Sequence, residues 1–205
     1  VWERRECGRL RDLLRKRGTA MEGDPAVERE ILERFQDDCA VMILDSSGFT
    51  RLTQKRGIIH FLALVVAMHD QAKPILDAHH ALCHWAEGDN LYAVFPTARL
   101  AVECSLAIQE AVTASNSTRP PAERLEVCIG VGAGRMLRIG DETVFGDPMN
   151  LASKLGEDIA GPGEVLVSKA ARTEIGDQRS DLEFVLLHES VSGVDLEFFS
   201  VRRNA

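Results

Sequence analysis

No stretch of this 205-residue chain approaches the 18 or so consecutive apolar residues of a membrane-spanning helix, and no secretory leader opens it. Positive charge is also short: 24 Lys and Arg face 32 Asp and Glu, for a formal net charge of -8. Nucleic acid and anionic membranes would both repel such a surface on average, so non-specific binding to either is not its business. An anionic substrate would have to be drawn in locally, most simply by metal ions. There is no internal repeat and no low-complexity tract. The five cysteines (Cys7, Cys39, Cys83, Cys104, Cys128) are odd in number and scattered, so they outline no disulfide framework; three lie inside apolar segments, where they read as small core residues. The expected compartment is therefore reducing and cytoplasmic. A chain that opens on Val1 rather than Met is expected to be a fragment, with any sensor domain or membrane anchor outside it.

What is present suffices for a real core: 45% of residues are hydrophobic, and the length fits one compact domain with an appendage. Its centre is the run CAVMIL at residues 39–44, which lacks alternation and so reads as a strand covered on both faces. The run delivers Asp45 to a strand end. Ser46, Ser47, Gly48, Phe49 and Thr50 follow, a turn able to present backbone N–H groups to a phosphate at the start of the next helix. A second carboxylate, Asp89, falls in the tight hairpin Glu87-Gly88-Asp89 between apolar segments 81–86 and 91–95. Together Asp45 and Asp89 could share a pair of divalent cations.

Before this centre, residues 1–36 carry two charged helical stripes, a leader or linker whose first 22 residues could equally be a solvated tail. Asp24-Pro25 reads as N-cap and first position of the second helix. After it, residues 49–78 form a long helix interrupted at Gly57, residues 97–114 an amphipathic helix, and residues 125–131 an alternating strand. Asp147-Pro148 resembles another N-cap pair, opening a helix to about Ile159 in which Asn150 and Lys154, four apart, share a face. A strand at 164–167, a short helix at 168–175 and an antiparallel pair at 184–188 and 196–201 complete the chain. The order βαββαβ predicts an α+β, ferredoxin-like core with extra C-terminal strands, a mainly antiparallel sheet with helices over one face. His79-His80 with Cys83-His84 suggests zinc, but strand alternation sends Cys83 and His84 to opposite faces. Gly130-x-Gly132-x-Gly134 is too loose for a dinucleotide fingerprint and reads as a strand kinked near a dimer interface.

With these residues in place, residues 37–203 resemble the catalytic domain of the class III nucleotidyl cyclases, the adenylyl and guanylyl cyclase family, in a bacterial-type variant. The resemblance is carried by LDSSGFTRL (44–52), WAEGDNLYAVF (85–95), IGVGAGRM (129–136) and VFGDPMNLASKL (144–155), in the family's order and spacing. It implies that Asp45 and Asp89 hold two Mg²⁺ or Mn²⁺ ions per site and that residues 46–50 hold the triphosphate. It further implies that Asn150 positions the ribose. It also implies a head-to-tail homodimer in which the metal aspartates of one protomer meet the base, ribose and phosphate residues of the other. Three positions depart from the family. Lys154 replaces a phosphate-contacting arginine, keeping charge but losing the bidentate fork. Trp85 replaces the base-reading lysine, and Thr143 the base-reading aspartate. Threonine resembles the subclass that includes bicarbonate-responsive cyclases, so ATP is the expected substrate, with relaxed selectivity because a stacking face discriminates less than paired hydrogen bonds. The alternatives are a cyclase of other base preference, for GTP or a pyrimidine, and a weak or catalytically silent nucleotide-binding regulatory domain.

Overall fold

A computed structural model of the chain describes residues 5–141, 143–177, 181–191 and 194–204. Two helices lead, α1 (Arg5–Arg17) and α2 (Pro25–Phe35). Asp24 caps α2 as expected, its carboxylate accepting from the amides of Ala26 and Val27, with Pro25 in the first turn. Far from being a solvated tail, α1 buries Cys7, Leu10 and Leu13 against Ile31 and Phe35 of α2 and Ile139.

The central run becomes β1 (Gln36–Ser47), longer at both ends than the apolar run itself, with residues 40–44 wholly buried. The predicted long helix is two, α3 (Phe49–Arg56) and α4 (Ile58–Ala78), parted where Gly57 takes φ 84°. The hairpin follows as β2 (Cys83–Glu87) and β3 (Asn90–Phe95). Next comes α5 (Ala98–Asn116), capped by the Thr97 hydroxyl accepting from Leu100 N–H. Then come β4 (Glu126–Ile139), β5 (Thr143–Phe145) and α6 (Asp147–Ser153), the last passing into a π-helical turn over Lys154–Ile159. Here the N-cap is Gly146 rather than Asp147, which lies inside the first turn. β6 (Val165–Ser168), α7 (Lys169–Ile175), β7 (Leu182–Val191) and β8 (Val194–Arg203) complete the fold.

The sheet runs β2-β3-β1-β4-β6-β8-β7, with β5 on the end of β4. Its first four strands, joined through α3–α4 and α5, are the βαββαβ core, and β6, β8 and β7 are the extra strands. Every pairing is antiparallel except β4 with β6. Helices α4, α5 and α7 cover one face, where Met42, Leu44 and Phe95 meet Phe61, Leu76, Ile108 and Ala171. In addition, α6 covers part of the other face, over Val41, Ile43, Val94, Met136 and Val144.

The glycines of β4 explain that second layer. β4 is not kinked out of the sheet; it pairs with β1 continuously from Leu137 opposite Gln36 to Glu126 opposite Ser47. A Cβ on Gly130 would stand 2.1 Å from the Ala152 carbonyl oxygen, and one on Gly132 2.1 Å from that of Pro148. Backbone therefore lies directly on backbone. Gly130→Ala is expected to cost about 3 kcal/mol or more, since neither main chain can retreat. The urea unfolding midpoint measures it, and an unchanged midpoint would contradict this packing.

Candidate active site

Asp45 lies near the end of β1, opposite Cys128 on β4, half-buried at the mouth of an open cleft of about 460 Å³. The same cleft is lined by Ser46, Ser47, Gly48, Phe49, Thr50 and Arg51. The hairpin turn sets Asp89 beside the cleft, though not in its lining: the buried Ser46 hydroxyl donates to Asp89 Oδ2 at 2.6 Å. Burial, and then the charge of Asp89, push the Asp45 carboxyl up to about 6, against a backbone hydrogen bond at Ser46 that favours its anion. Asp45 on the cleft and Asp89 behind Ser46 thus stand close enough to repel, a repulsion that a cation would relieve. Cys128, beside them, is buried and its thiol is pushed up to about 11, chiefly by desolvation, so it stays protonated and unreactive.

Ser46 and Ser47, expected in the turn, instead continue β1 opposite Val127 and Glu126, because strand pairing runs on past the apolar residues; the turn that leaves amides open begins at Gly48. Gly48, at φ 106°, starts α3 with no capping side chain, so the first-turn N–H groups at Phe49, Thr50 and Arg51 have no side-chain cap. Phe49 anchors the turn by standing edge-on to Phe61, ring centroids 4.9 Å apart. Arg51 binds the carbonyls of Pro121 and Arg124 at 2.8 and 2.9 Å, tying the turn to the loop before β4 while adding positive charge at the rim.

The remaining candidates form a second group. None of Trp85, Thr143, Asn150 and Lys154 lines that cleft. Trp85 and its cross-strand partner Tyr92 stack with centroids 5.3 Å apart and planes 4° off parallel, packed against the same cluster as Met149. One face of the indole is therefore taken by Tyr92. Thr143 opens β5, opposite Ile139. Asn150 is exposed on α6, and Lys154 begins the π-helical turn with its ammonium 3.3 Å from Asp158. The chain thus brings the aspartates and the phosphate turn together, and holds the base, ribose and cation candidates elsewhere.

One charged residue that the motifs do not single out enters the cleft. Glu157, on the π-helical turn, lines it with Asp45. Its only trace in the sequence is its i+7 spacing from Asn150, and the π-helical turn alters the direction that spacing would imply.

Among the described residues no three His, Cys, Asp or Glu side chains gather as a metal set. Two carboxylates nevertheless fit Mg²⁺ or Mn²⁺, hard cations commonly held by one or two carboxylates with water and substrate phosphates filling the other positions. The zinc reading fails here too, since Cys83 is buried in the sheet while His84 is half-exposed.

This sheet order and cleft define the fold of the class III adenylate/guanylate cyclase catalytic domains, and the chain resembles those domains in sequence as well. A crystal structure of an adenylate/guanylate cyclase/hydrolase from Silicibacter pomeroyi matches 83% of this chain and 99% of that one, with a TM-score of 0.68 and 26% identity. In sequence, a protein of Rhizobium meliloti (strain 1021) named "Putative adenylate cyclase 3" is 29% identical over 146 residues, 71% of this chain. Serine/threonine-protein kinase pkn2 of Myxococcus xanthus is 31% identical over 131 residues. The chain spans 24% of the first of these relatives and 15% of the second. No family model matches it. No helix among the described residues is long and apolar enough to cross a membrane.

Proposed function

We propose that residues 37–205, preceded by the helical leader of residues 1–36, form a nucleotidyl cyclase domain that converts ATP to its 3',5'-cyclic monophosphate and pyrophosphate. The observation that carries this reading is that Ser46 ties Asp89 to the strand end holding Asp45, beside a cleft that continues into the uncapped start of α3. In the reaction the ribose 3'-oxygen bonds to the α-phosphorus, the bond from that phosphorus to the pyrophosphate oxygen breaks, and the hydroxyl proton leaves to solvent. Two divalent cations held by Asp45 and Asp89 would neutralise phosphate charge and lower the hydroxyl's pKa. The amides of residues 49–51 receive the phosphate oxygens, Asn150 orients the ribose and Lys154 faces the charge that builds on the phosphates.

Because Asn150 and Lys154 lie off the cleft of their own chain, they serve the aspartates of a second copy in a head-to-tail homodimer with two sites. The Lys154–Asp158 contact favours a silent domain, since it engages the one cation of this group. Such an i, i+4 pair contributes only about 0.3–0.5 kcal/mol, however, and yields readily to a triphosphate. Purified protein with Mn²⁺ and each of the four nucleoside triphosphates tests the reading: cyclic AMP and pyrophosphate in equal amounts are expected. Nucleotide binding without pyrophosphate release would leave the silent domain, and a preference for CTP or UTP would overturn the ATP assignment.

Trp85 stands at the position expected to read the base, with one face stacked on Tyr92. Trp85→Lys exchanges the indole for a charged donor and is expected to raise the ATP-to-GTP ratio of kcat/KM about tenfold, within the 1–3 kcal/mol that small pocket changes carry. An unchanged ratio would leave Trp85 as packing for Tyr92.

A further inference from the structure

Glu157 has a setting that none of the roles above requires. The π-helical turn carries it because Gly156 lies flat on the sheet: a Cβ there would stand 2.8 Å from Gly130 N and 2.9 Å from the carbonyl oxygen of Ile43, two residues before Asp45. The turn therefore abuts the strand that delivers Asp45, and the next residue reaches the cleft mouth. Glu157 Oε1 accepts from Asn90 Nδ2 at 3.0 Å, and Asn90 is the residue directly after Asp89. Asn90 Nδ2 is also 3.3 Å from the Tyr92 hydroxyl. Partial burial, then the charge of Asp158, push the Glu157 carboxyl above its ordinary range, with the hydroxyls of Ser153 and Tyr92 opposing and the charge of Asp89 adding to the shift. Glu157 is thus tied to the residue after Asp89 while it lines the cleft with Asp45.

We propose that Glu157 is the third anionic group of the cation cleft, a positioning residue that strengthens divalent-cation binding from outside the coordination shell and steadies the Asp89 turn through Asn90. The inference rests on the reading of Asp45 and Asp89 as cation ligands. Two carboxylates alone leave most coordination positions to water and phosphate, so affinity before nucleotide arrives depends on the surrounding field and on how firmly the ligands are held. Glu157 supplies both.

The test is Mn²⁺ binding to nucleotide-free protein, read as free Mn²⁺ by electron paramagnetic resonance. Glu157→Gln keeps an acceptor for Asn90 and removes the charge, at an exposed position where the fold tolerates the change. It is expected to bind Mn²⁺ about tenfold more weakly or worse, the range typical of lost outer-shell partners, with an unchanged melting temperature without metal. Asp147→Asn, an exposed acid on α6 that does not line the cleft, should bind as wild type does. Wild-type binding that Asp45→Asn abolishes but Glu157→Gln leaves intact overturns this inference alone. A wild type that takes up no Mn²⁺ removes the cation reading and the inference with it.

Discussion

Asp89→Ala, and separately Asp45→Ala, are each expected to lower cyclisation on the order of a thousandfold, about 4 kcal/mol of transition-state stabilisation. The loss is chemical rather than structural. Asp89 sits in a hairpin turn outside the core, so its removal costs the fold little more than the hydrogen bond from the Ser46 hydroxyl to its carboxylate, about 1.5–3 kcal/mol. Asp45 is half-buried with its anion already disfavoured by burial and by Asp89, so truncating it relieves repulsion in the cation-free protein. Melting temperatures without metal should accordingly hold for Asp45→Ala and fall for Asp89→Ala. Near wild-type turnover in Mn²⁺ by either variant, with unchanged circular dichroism, would end the two-metal assignment.

The second large effect comes from mixing inactive chains. If the site is shared, Asp45→Ala and Asn150→Ala proteins are each silent, yet a heterodimer contains one site free of both lesions. Random exchange of equal amounts makes half the dimers heterodimers with one of two sites intact, so activity should return to about a quarter of wild type. No return after subunit exchange, verified with differently tagged chains, would place the whole site within one chain.

Much of this was legible before any fold was known, and the residues show why. The unbroken apolar run at residues 39–44 could only be a strand buried on both faces, and it delivered Asp45 correctly. The glycine-bearing turn at residues 87–89 could only be tight. Asp24 and Gly57 marked helix limits through local hydrogen bonding and backbone freedom, which depend on a few neighbours alone. Strand ends were less legible: β1 and β4 outran their apolar patterns because pairing continues wherever a partner strand does, whatever the side chains. The role of Gly130 and Gly132 was misread for a related reason. A missing side chain is visible in sequence, but the helix backbone that fills its place is not.

The sequence by itself determined the βαββαβ order, the positions of the two aspartates near a strand end and in a hairpin turn, and the likeness to cyclase domains, because each rests on periodicity or on residues close together along the chain. Only the tertiary structure decided that Ser46 joins Asp89 to the strand end holding Asp45 and that Tyr92 takes one face of Trp85. It alone decided that a π-helical turn sets Glu157 at the cleft while Asn150 and Lys154 stay off it. Those are contacts between residues distant in sequence, brought about when β1, the hairpin and β4 pair in register and α6 settles on bare glycine backbone. Helical spacing says which residues share a face; it does not say what that face will meet.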